Sequence, residues 1–139
     1  MKYLVIGMGN FGKTLAEELT DKGNDVIGVD SKEHRIEEIK NRIDVAYILD
    51  ATEVAALRAL PLDEIDCTIV AIGQSMDASL RTVAALKALG VKNIYARAID
   101  QTHRSILAAM SLQQILMPEC YAARLLADKL SKEERTEMV

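Results

Sequence analysis

The sequence predicts an α/β protein built on a doubly wound, parallel, six-stranded sheet with the strand order 3-2-1-4-5-6. Three observations predict this class. Six short apolar runs alternate with helical segments along the 139 residues. The first run leads into the motif Gly7-Met8-Gly9-Asn10-Phe11-Gly12. The second run ends on Asp30, which gives the order strand, glycine turn, helix, strand and acid of a Rossmann-type nucleotide site.

The first βαβ unit supplies the turn and helix of this predicted site. An apolar strand is expected over residues 3–6 and a helix over residues 14–19. Gly7 allows a tight turn, Gly9 leaves room for a phosphate, and Gly12 lets the helix pack close to the strand. The unpaired N–H groups and partial positive charge of the helix N-terminus then favour an anion.

Asp30 lies 18 residues after Gly12, at the carboxyl end of a strand predicted over residues 26–29. There its carboxylate can accept hydrogen bonds from both hydroxyls of an adenosine ribose. A 2′-phosphate would be repelled, so NADP is disfavoured. We therefore expect NAD(H) or ATP/ADP as the ligand, the alternative being a glycine-rich turn that binds nothing.

The later segments continue the alternation. The spacing of Ile36, Ile39 and Ile43 predicts a helix over residues 32–43, capped by Ser31. The other predicted strands are residues 45–49, 67–72, 94–98 and 114–117. The other predicted helices are residues 53–60, 76–89, 101–110 and 121–130, and residues 131–139 are polar and expected to fray.

Bulk properties limit the classes of function. The length predicts one nucleotide-binding domain over residues 1–118, followed by a C-terminal crossover helix and tail over residues 119–139. The net charge of −4 argues against a nucleic-acid partner. No apolar run reaches transmembrane length and no signal peptide is evident, so we expect a cytoplasmic protein without membrane insertion.

The cysteines and histidines show no metal or redox spacing, and we expect no metal site from them. Cys67 and Cys120 are predicted to be small buried residues. His34 and His103 are predicted to be surface or helix residues.

Further candidates lie in the turns after the later strands, where a doubly wound sheet binds its ligands. Asp50-Ala51-Thr52 suits the border of an adenine or ribose, although Thr52 could equally cap the next helix. Ala71-Ile72-Gly73 could approach a ribose or phosphate, or be only a tight strand exit. Arg35 could flank the adenine or be a solvated charge. Arg97 could pair with a phosphate or with Asp100.

Catalytic groups are missing from this pattern. A dehydrogenase needs a general acid or base near the hydride site. Tyr95 and Tyr121 have no lysine at helical spacing, and Cys67 begins its strand at the wrong end for a nucleophile. The sequence therefore indicates a sensor rather than an enzyme.

Together these residues resemble the N-terminal lobe of the RCK (regulator of potassium conductance) domain of the TrkA and KtrA potassium uptake proteins. The resemblance covers nearly the whole chain. The segments that carry it are Val5-Ile6-Gly7-Met8-Gly9-Asn10-Phe11-Gly12, Val29-Asp30, Asp50-Ala51-Thr52, Val70-Ala71-Ile72-Gly73, Tyr95-Ala96-Arg97-Ala98 and Met117-Pro118-Glu119.

The resemblance implies a cytoplasmic subunit at the inner face of the membrane, whose oligomeric ring gates a potassium channel or transporter when nucleotide binds. It places Asp30 on the ribose, Arg35 beside the adenine, Asp50 and Thr52 at the base, and residues 71–73 under the ribose and phosphates. It also implies that Glu119 lies near phosphates or a cation at a subunit junction.

The sequence departs from the family in two places. Many relatives have an arginine where this chain has Asn10, which weakens ATP discrimination at that position. Full-length relatives also carry a C-terminal lobe, so the sequence is expected to be a truncated form or to rely on a partner for that lobe.

The last predicted helix provides evidence on whether the chain forms an oligomer. Its apolar side chains Tyr121, Leu125, Leu126 and Leu130 form a stripe that favours an oligomer, unless the helix folds back onto its own sheet. A further dimer face is expected on the helix over residues 76–89. Two other functions remain as alternatives: an NAD(H)-binding oxidoreductase, and a redox-sensing repressor, for which the chain lacks a basic DNA-binding helix-turn-helix.

Overall fold

The computed structural model describes residues 1–112 and 114–138, with side chains described as far as residue 133. Its centre is a six-stranded sheet in the order β3-β2-β1-β4-β5-β6, with parallel pairing throughout. The strands are β1 (Lys2–Ile6), β2 (Asp25–Asp30), β3 (Val45–Ile48), β4 (Cys67–Val70), β5 (Ile94–Arg97) and β6 (Gln114–Leu116). The predicted fold class and strand order are confirmed.

Helices cover both faces of the sheet. They are α1 (Asn10–Asp21), α2 (Glu33–Ile39), α3 (Val54–Leu57), α4 (Met76–Ala88), α5 (Gln101–Ala109) and α6 (Pro118–Met138), with a 3-10 turn at Leu62–Glu64. Alternate residues of β1 enter different cores: Val5 packs with the residues of α1 and α2, and Leu4 and Ile6 pack with those of α3, α4 and α5. This two-sided burial explains the continuous apolar runs of the strands.

Two predicted helix caps are wrong. Ser31 makes no cap: α2 begins after Lys32, whose backbone N–H donates to Oδ1 of Asp30 over 2.8 Å. Thr52 does not cap α3 either, because its hydroxyl donates to Oδ1 of Asp50 over 2.6 Å and Glu53 precedes the helix. In both turns the carboxylate of an aspartate at or just after the strand end accepts a hydrogen bond from the backbone N–H two residues later.

Several predicted environments also need correction. Cys67 is buried as expected, but Cys120 is exposed on α6. His103 lies on the helix α5, as expected, but it is fully buried and not at the surface. The helix over residues 76–89 buries one side, with Ser79, Thr82, Val83, Ala85 and Leu86, within this chain and leaves Arg81, Ala84 and Ala88 exposed on the other, so a dimer face on that exposed side stays a prediction.

The last helix leaves the body of the domain. It runs from Pro118 to Met138, so the segment expected to fray after residue 130 is helical up to Met138, and Val139 lies outside the described residues. The apolar stripe remains exposed, with side chains that are 66% (Tyr121), 55% (Leu125 and Leu126) and 49% (Leu130) accessible. The helix therefore does not fold back onto its own sheet. Within the described chain, α6 and the other helices are too short or too polar to cross a membrane.

Candidate functional site

A cavity of about 770 Å³ opens at the carboxyl ends of the strands. It lies where the strand order reverses between β1 and β4, which is the usual ligand position of such sheets. Fifteen of the seventeen predicted site residues line it: Gly7, Gly9, Asn10, Phe11, Asp30, Ser31, Arg35, Asp50, Ala51, Thr52, Ala71, Ile72, Gly73, Arg97 and Glu119. Met8 and Gly12 do not line the cavity.

The glycine turn after β1 is held by close backbone packing. Gly7 has φ +101°, and a Cβ there would lie 2.9 Å from the backbone nitrogen of Ile72. A Cβ on Gly12 would lie 1.8 Å from the carbonyl oxygen of Gly7, so Gly12 serves the packing of α1 against β1. Gly9 has only the Arg35 guanidinium, at 4.0 Å, near its ideal Cβ position. The open space above Gly9 is thus the part of the turn that a ligand can approach.

Met8 shows why a motif residue need not face the ligand. Its side chain is 2% exposed and packs in the α1–α2 core, and it lies 3.1 Å from the ideal Cβ position of Gly28. Its backbone N–H points the other way and donates to Oδ2 of Asp30 over 2.8 Å. Met8 therefore contributes to the site through its main chain.

The Asp30 carboxylate is 6% exposed and held from three sides. Oδ2 accepts from Met8 N–H and lies 3.4 Å from Nη1 of Arg35, and Oδ1 accepts from Lys32 N–H. A carboxylate offers about four lone-pair positions, so three are engaged. Two ribose hydroxyls can bind Asp30 together only when Arg35 moves away from Oδ2.

The turn after β3 presents a second carboxylate. Asp50 Oδ1 accepts from the hydroxyl of Thr52 over 2.6 Å and from its backbone N–H over 3.0 Å. The side-chain hydrogen bond from Thr52, and then the backbone one, lower the pKa of Asp50 below its ordinary value. The group is ionised at neutral pH and places an acceptor at the cavity wall.

Arg97, at the end of β5, contacts three other parts of the site. Its guanidinium forms an ion pair with Glu119 in the first turn of α6 and lies 5.7 Å from the centroid of the Phe11 ring. Its Nη1 is 2.9 Å from the ideal Cβ position of Gly73, so a side chain at Gly73 would displace the guanidinium from its present position. The predicted alternative, Asp100, instead caps α5 by accepting from the His103 backbone N–H.

Two polar atoms beside this cavity are buried without a partner. Nε of Arg97 and Oγ1 of Thr82 make no hydrogen bond to the described residues, and both residues line the cavity. A buried polar group without a partner costs about 1–3 kcal/mol. Because both atoms are themselves buried, neither is exposed to the cavity while the side chains keep these positions.

The sequence did not single out every lining residue. The polar ones that it missed are Lys32, Gln74, Ser75 and Thr82. Ser75 could have been predicted as a helix cap, because a serine before an alanine-rich helix is a typical N-cap. In the structure its Oγ accepts from Ala78 N–H over 3.0 Å. The contact of 3.4 Å between Lys32 Nζ and Oε1 of Gln74 joins residues 42 positions apart, and no local pattern predicts it.

The chemistry of the lining suits binding. Among the described residues that line the cavity there is no histidine, tyrosine or cysteine, and no three metal-type side chains are grouped in the described part of the chain. His103 lies away from the cavity lining and makes a 3.0 Å contact through Nε2 with Oγ of Ser79. What converges on the cavity is a helix N-terminus, a glycine turn and side chains of both charges.

Known proteins are similar to this chain in sequence. The chain is 32% identical over 118 residues to Ktr system potassium uptake protein A of Vibrio alginolyticus, covering 85% of this chain and 54% of that protein. It is 33% identical over 129 residues to Ktr system potassium uptake protein C of Bacillus subtilis, covering 93% of this chain and 58% of that protein. The chain thus spans little more than half the length of these relatives.

A solved structure agrees with this comparison. The NAD(P)-binding domain of an exopolyphosphatase-related protein from Archaeoglobus fulgidus superposes with a TM-score of 0.79 at 25% identity, covering 94% of this chain and 97% of that one. The family model described as the TrkA-N domain matches residues 3–118, a range that contains the glycine turn and all six strands except the first residue of β1. The chain therefore belongs to the TrkA-N domain family, as the predicted resemblance to the RCK N-terminal lobe indicated.

Proposed function

We propose that this chain is the nucleotide-sensing part of a regulatory subunit of a membrane potassium uptake system of the Trk or Ktr type. The observation that carries the proposal is the cavity at the glycine turn, in a chain of the TrkA-N family that is similar to Ktr potassium uptake proteins A and C. Residues 1–118 would be the nucleotide-binding domain, and residues 119–139 the crossover helix and tail.

The proposed ligand is an adenine nucleotide, either NAD(H) or ATP/ADP. Asp30 would accept hydrogen bonds from the ribose, while Gly9 and the N-terminus of α1 would receive the phosphates. Asp50 and Thr52 would border the base. The buried carboxylate of Asp30 would repel a 2′-phosphate, so NADP is disfavoured. The likeness to a domain named as NAD(P)-binding supports a nucleotide at this place.

The proposed output is a change of shape that gates a potassium channel or transporter. The protein would act as a homo-oligomer, a dimer assembling into a ring, at the cytoplasmic face of the membrane. The exposed stripe of α6 supports self-association. The lack of a histidine, tyrosine or cysteine among the described lining residues supports sensing over hydride-transfer catalysis.

Two measurements test this function. Isothermal titration of the purified chain with NAD(H), ADP and ATP should detect binding that disappears in Asp30→Ala. In cells lacking the gene, potassium uptake should be restored by the full-length wild-type gene and should lose its nucleotide response with Asp30→Ala. A chain that binds none of these nucleotides, or cells whose potassium uptake is unchanged without the gene, would rule the proposal out.

A further inference from the structure

The outer strand β3 carries apolar side chains that its own chain leaves exposed. β3 is an end strand of the sheet, and Val45, Tyr47 and Ile48 are 39%, 39% and 52% accessible. The register places Val45 opposite Ile27 and Tyr47 opposite Val29, so both side chains lie on the face that α3, α4 and α5 cover. On that face α3 is only four residues long and packs against α4, and the border at β3 remains exposed.

The backbone edge of β3 is also open to a further strand. Just after β3, the N–H of Leu49 donates to the carbonyl of Asp30 over 3.1 Å. Backbone groups of alternate residues in a strand point to the same side, so the N–H and C=O groups of Ala46 and Ile48 point away from β2. β3 contains neither a charged residue nor a proline, which are the usual protections of an edge strand against pairing.

The sequence of β3 is complementary to a second copy of itself in the antiparallel direction. When the pairing is centred on Ala46, the two copies of this residue exchange both backbone hydrogen bonds. The same register places Val45 of each copy opposite Tyr47 of the other on one face, which gives two pairs of an aromatic and a β-branched side chain. A register centred on Tyr47 would instead place Asp44 opposite Asp50, and like charges that face each other are unfavourable.

The charges beside β3 favour the same direction. Lys40 and Arg42 precede the strand, together with one acid, Asp44, whereas Asp50 and Glu53 follow it. Antiparallel pairing brings the mainly basic end of one copy to the acidic end of the other, and parallel pairing would bring ends of like charge together. The charge pattern and the side-chain match therefore both point to a second copy of the chain as the partner.

We propose that β3 is a second self-association surface, at which two copies pair edge to edge, antiparallel about Ala46, and join their sheets. An edge of four residues makes few contacts, so we expect it to join dimers that have formed through α6 rather than to hold single chains together. Two different isologous contacts on one chain allow assembly beyond a dimer. The inference rests on the self-association in the proposed function and is independent of nucleotide binding.

The test is analytical ultracentrifugation of the wild-type chain and its variants at increasing protein concentration. The wild-type chain should form a species larger than the dimer. Val45→Lys with Tyr47→Lys places lysines opposite each other in both cross-strand pairs and should weaken this step at least about tenfold, which leaves the dimer. These lysines make the net charge of −4 less negative, so general repulsion between chains would not explain the loss.

The matched control is Val45→Glu with Tyr47→Lys, which changes the same two residues. In the proposed register it places opposite charges across the interface and should restore the larger species to within about threefold of the wild type. Tyr47→Ala, which removes the aromatic side of both pairs, should weaken the larger species about threefold, and it tests the contact even if the lysine variant does not fold.

The outcomes separate this inference from the proposed function. If the wild-type mass stays at the dimer at every concentration, the inference fails while self-association through α6 stands. The inference also fails if the two charge variants behave alike, or if Tyr47→Ala forms the larger species as readily as the wild type. A wild-type chain that stays monomeric contradicts both contacts, whereas calorimetric titration tests nucleotide binding separately.

Discussion

The backbone N–H of Met8, in the turn after β1, donates to Oδ2 of Asp30 at the end of β2 over 2.8 Å. This bond fixes the carboxylate relative to the glycine turn before any ligand arrives. The N–H of Lys32 holds Oδ1 in the same way. Preorganisation of this kind lowers the entropy that a ligand must lose on binding. It also means that Asp30 supports the fold as well as the site.

Asp30→Ala should therefore weaken two properties together. Loss of charge-assisted hydrogen bonds to the ribose should cost on the order of 2–4 kcal/mol of nucleotide binding. The N–H of Met8 loses its acceptor, which should lower the free energy of unfolding by about 1–3 kcal/mol. Calorimetric titration and urea denaturation measure the two effects, and the milder Asp30→Asn keeps one acceptor oxygen if the alanine variant does not fold.

Asp44→Ala provides the control for this pair of effects. Oδ2 of Asp44 accepts from Val26 N–H over 2.7 Å near the opposite end of the same strand, outside the cavity lining. The variant should lose stability but keep nucleotide affinity. Unchanged affinity in Asp30→Ala would refute the proposed site.

Two substitutions in the glycine turn should have separate effects, one on the stability of the fold and the other on nucleotide binding. Gly12→Ala places a Cβ 1.8 Å from the Gly7 carbonyl oxygen, which no side chain can relieve, and should cost about 3 kcal/mol or more of stability. The backbone at Gly9 has φ −71°, which alanine adopts without strain, and no atom lies close to the added Cβ. Gly9→Ala should therefore change the free energy of unfolding by less than about 0.5 kcal/mol. Its new methyl group faces the phosphate position and should weaken nucleotide binding about tenfold. Thermal unfolding and titration of both variants check this contrast, which fails if Gly9→Ala binds normally.

The sequence predicted what depends on local pattern and strand order. Apolar runs, glycine spacing and Asp30 place the turns of the sheet at one edge, and the cavity lies there. Ion pairs and hydrogen bonds between side chains on distant elements could not be predicted from the sequence. Arg97 pairs with Glu119, which is 22 residues away on a different element, whereas the sequence suggested a phosphate or the nearer acid Asp100, which instead caps α5. Ser31 and Thr52 resembled caps because each precedes a predicted helix, but Asp30 and Asp50 organise these turns by accepting the N–H groups of Lys32 and Thr52.

The sequence also could not predict that His103 is buried, because its hydrogen-bonding partners lie on two separate parts of the chain. Nδ1 accepts from Ile99 N–H over 2.9 Å, so this nitrogen carries no proton, and Nε2 contacts Ser79 of α4. Burial lowers the pKa of His103, and the nearby negative charge of Asp100 offsets this only in part.

This burial predicts a loss of stability in mild acid. Below about pH 6.5 the unfolded chain binds a proton on this histidine that the folded chain does not, so unfolding becomes easier as pH falls. The slope should approach about 1.4 kcal/mol per pH unit at most. His103→Gln, whose amide oxygen can still accept from Ile99, should flatten it, whereas His34→Gln should not. Urea denaturation between pH 5 and pH 7, roughly spanning the histidine range, checks this; identical slopes in both variants would contradict it.

The exposed side of α6 yields the last prediction. Leu125 and Leu126 are each 55% exposed on a helix that packs little against its own domain. Burying such side chains in a partner stabilises each by about 1.5–3 kcal/mol, so the wild-type chain should self-associate through them. Leu125→Glu with Leu126→Glu should shift light scattering to the monomer mass, since two carboxylates would have to be buried. Arg124→Glu and Lys129→Glu together also change two exposed residues of α6 to glutamate but leave the stripe intact, and should remain associated. A wild-type chain that is monomeric at all concentrations, or a charge control that dissociates equally, would remove α6 as the interface.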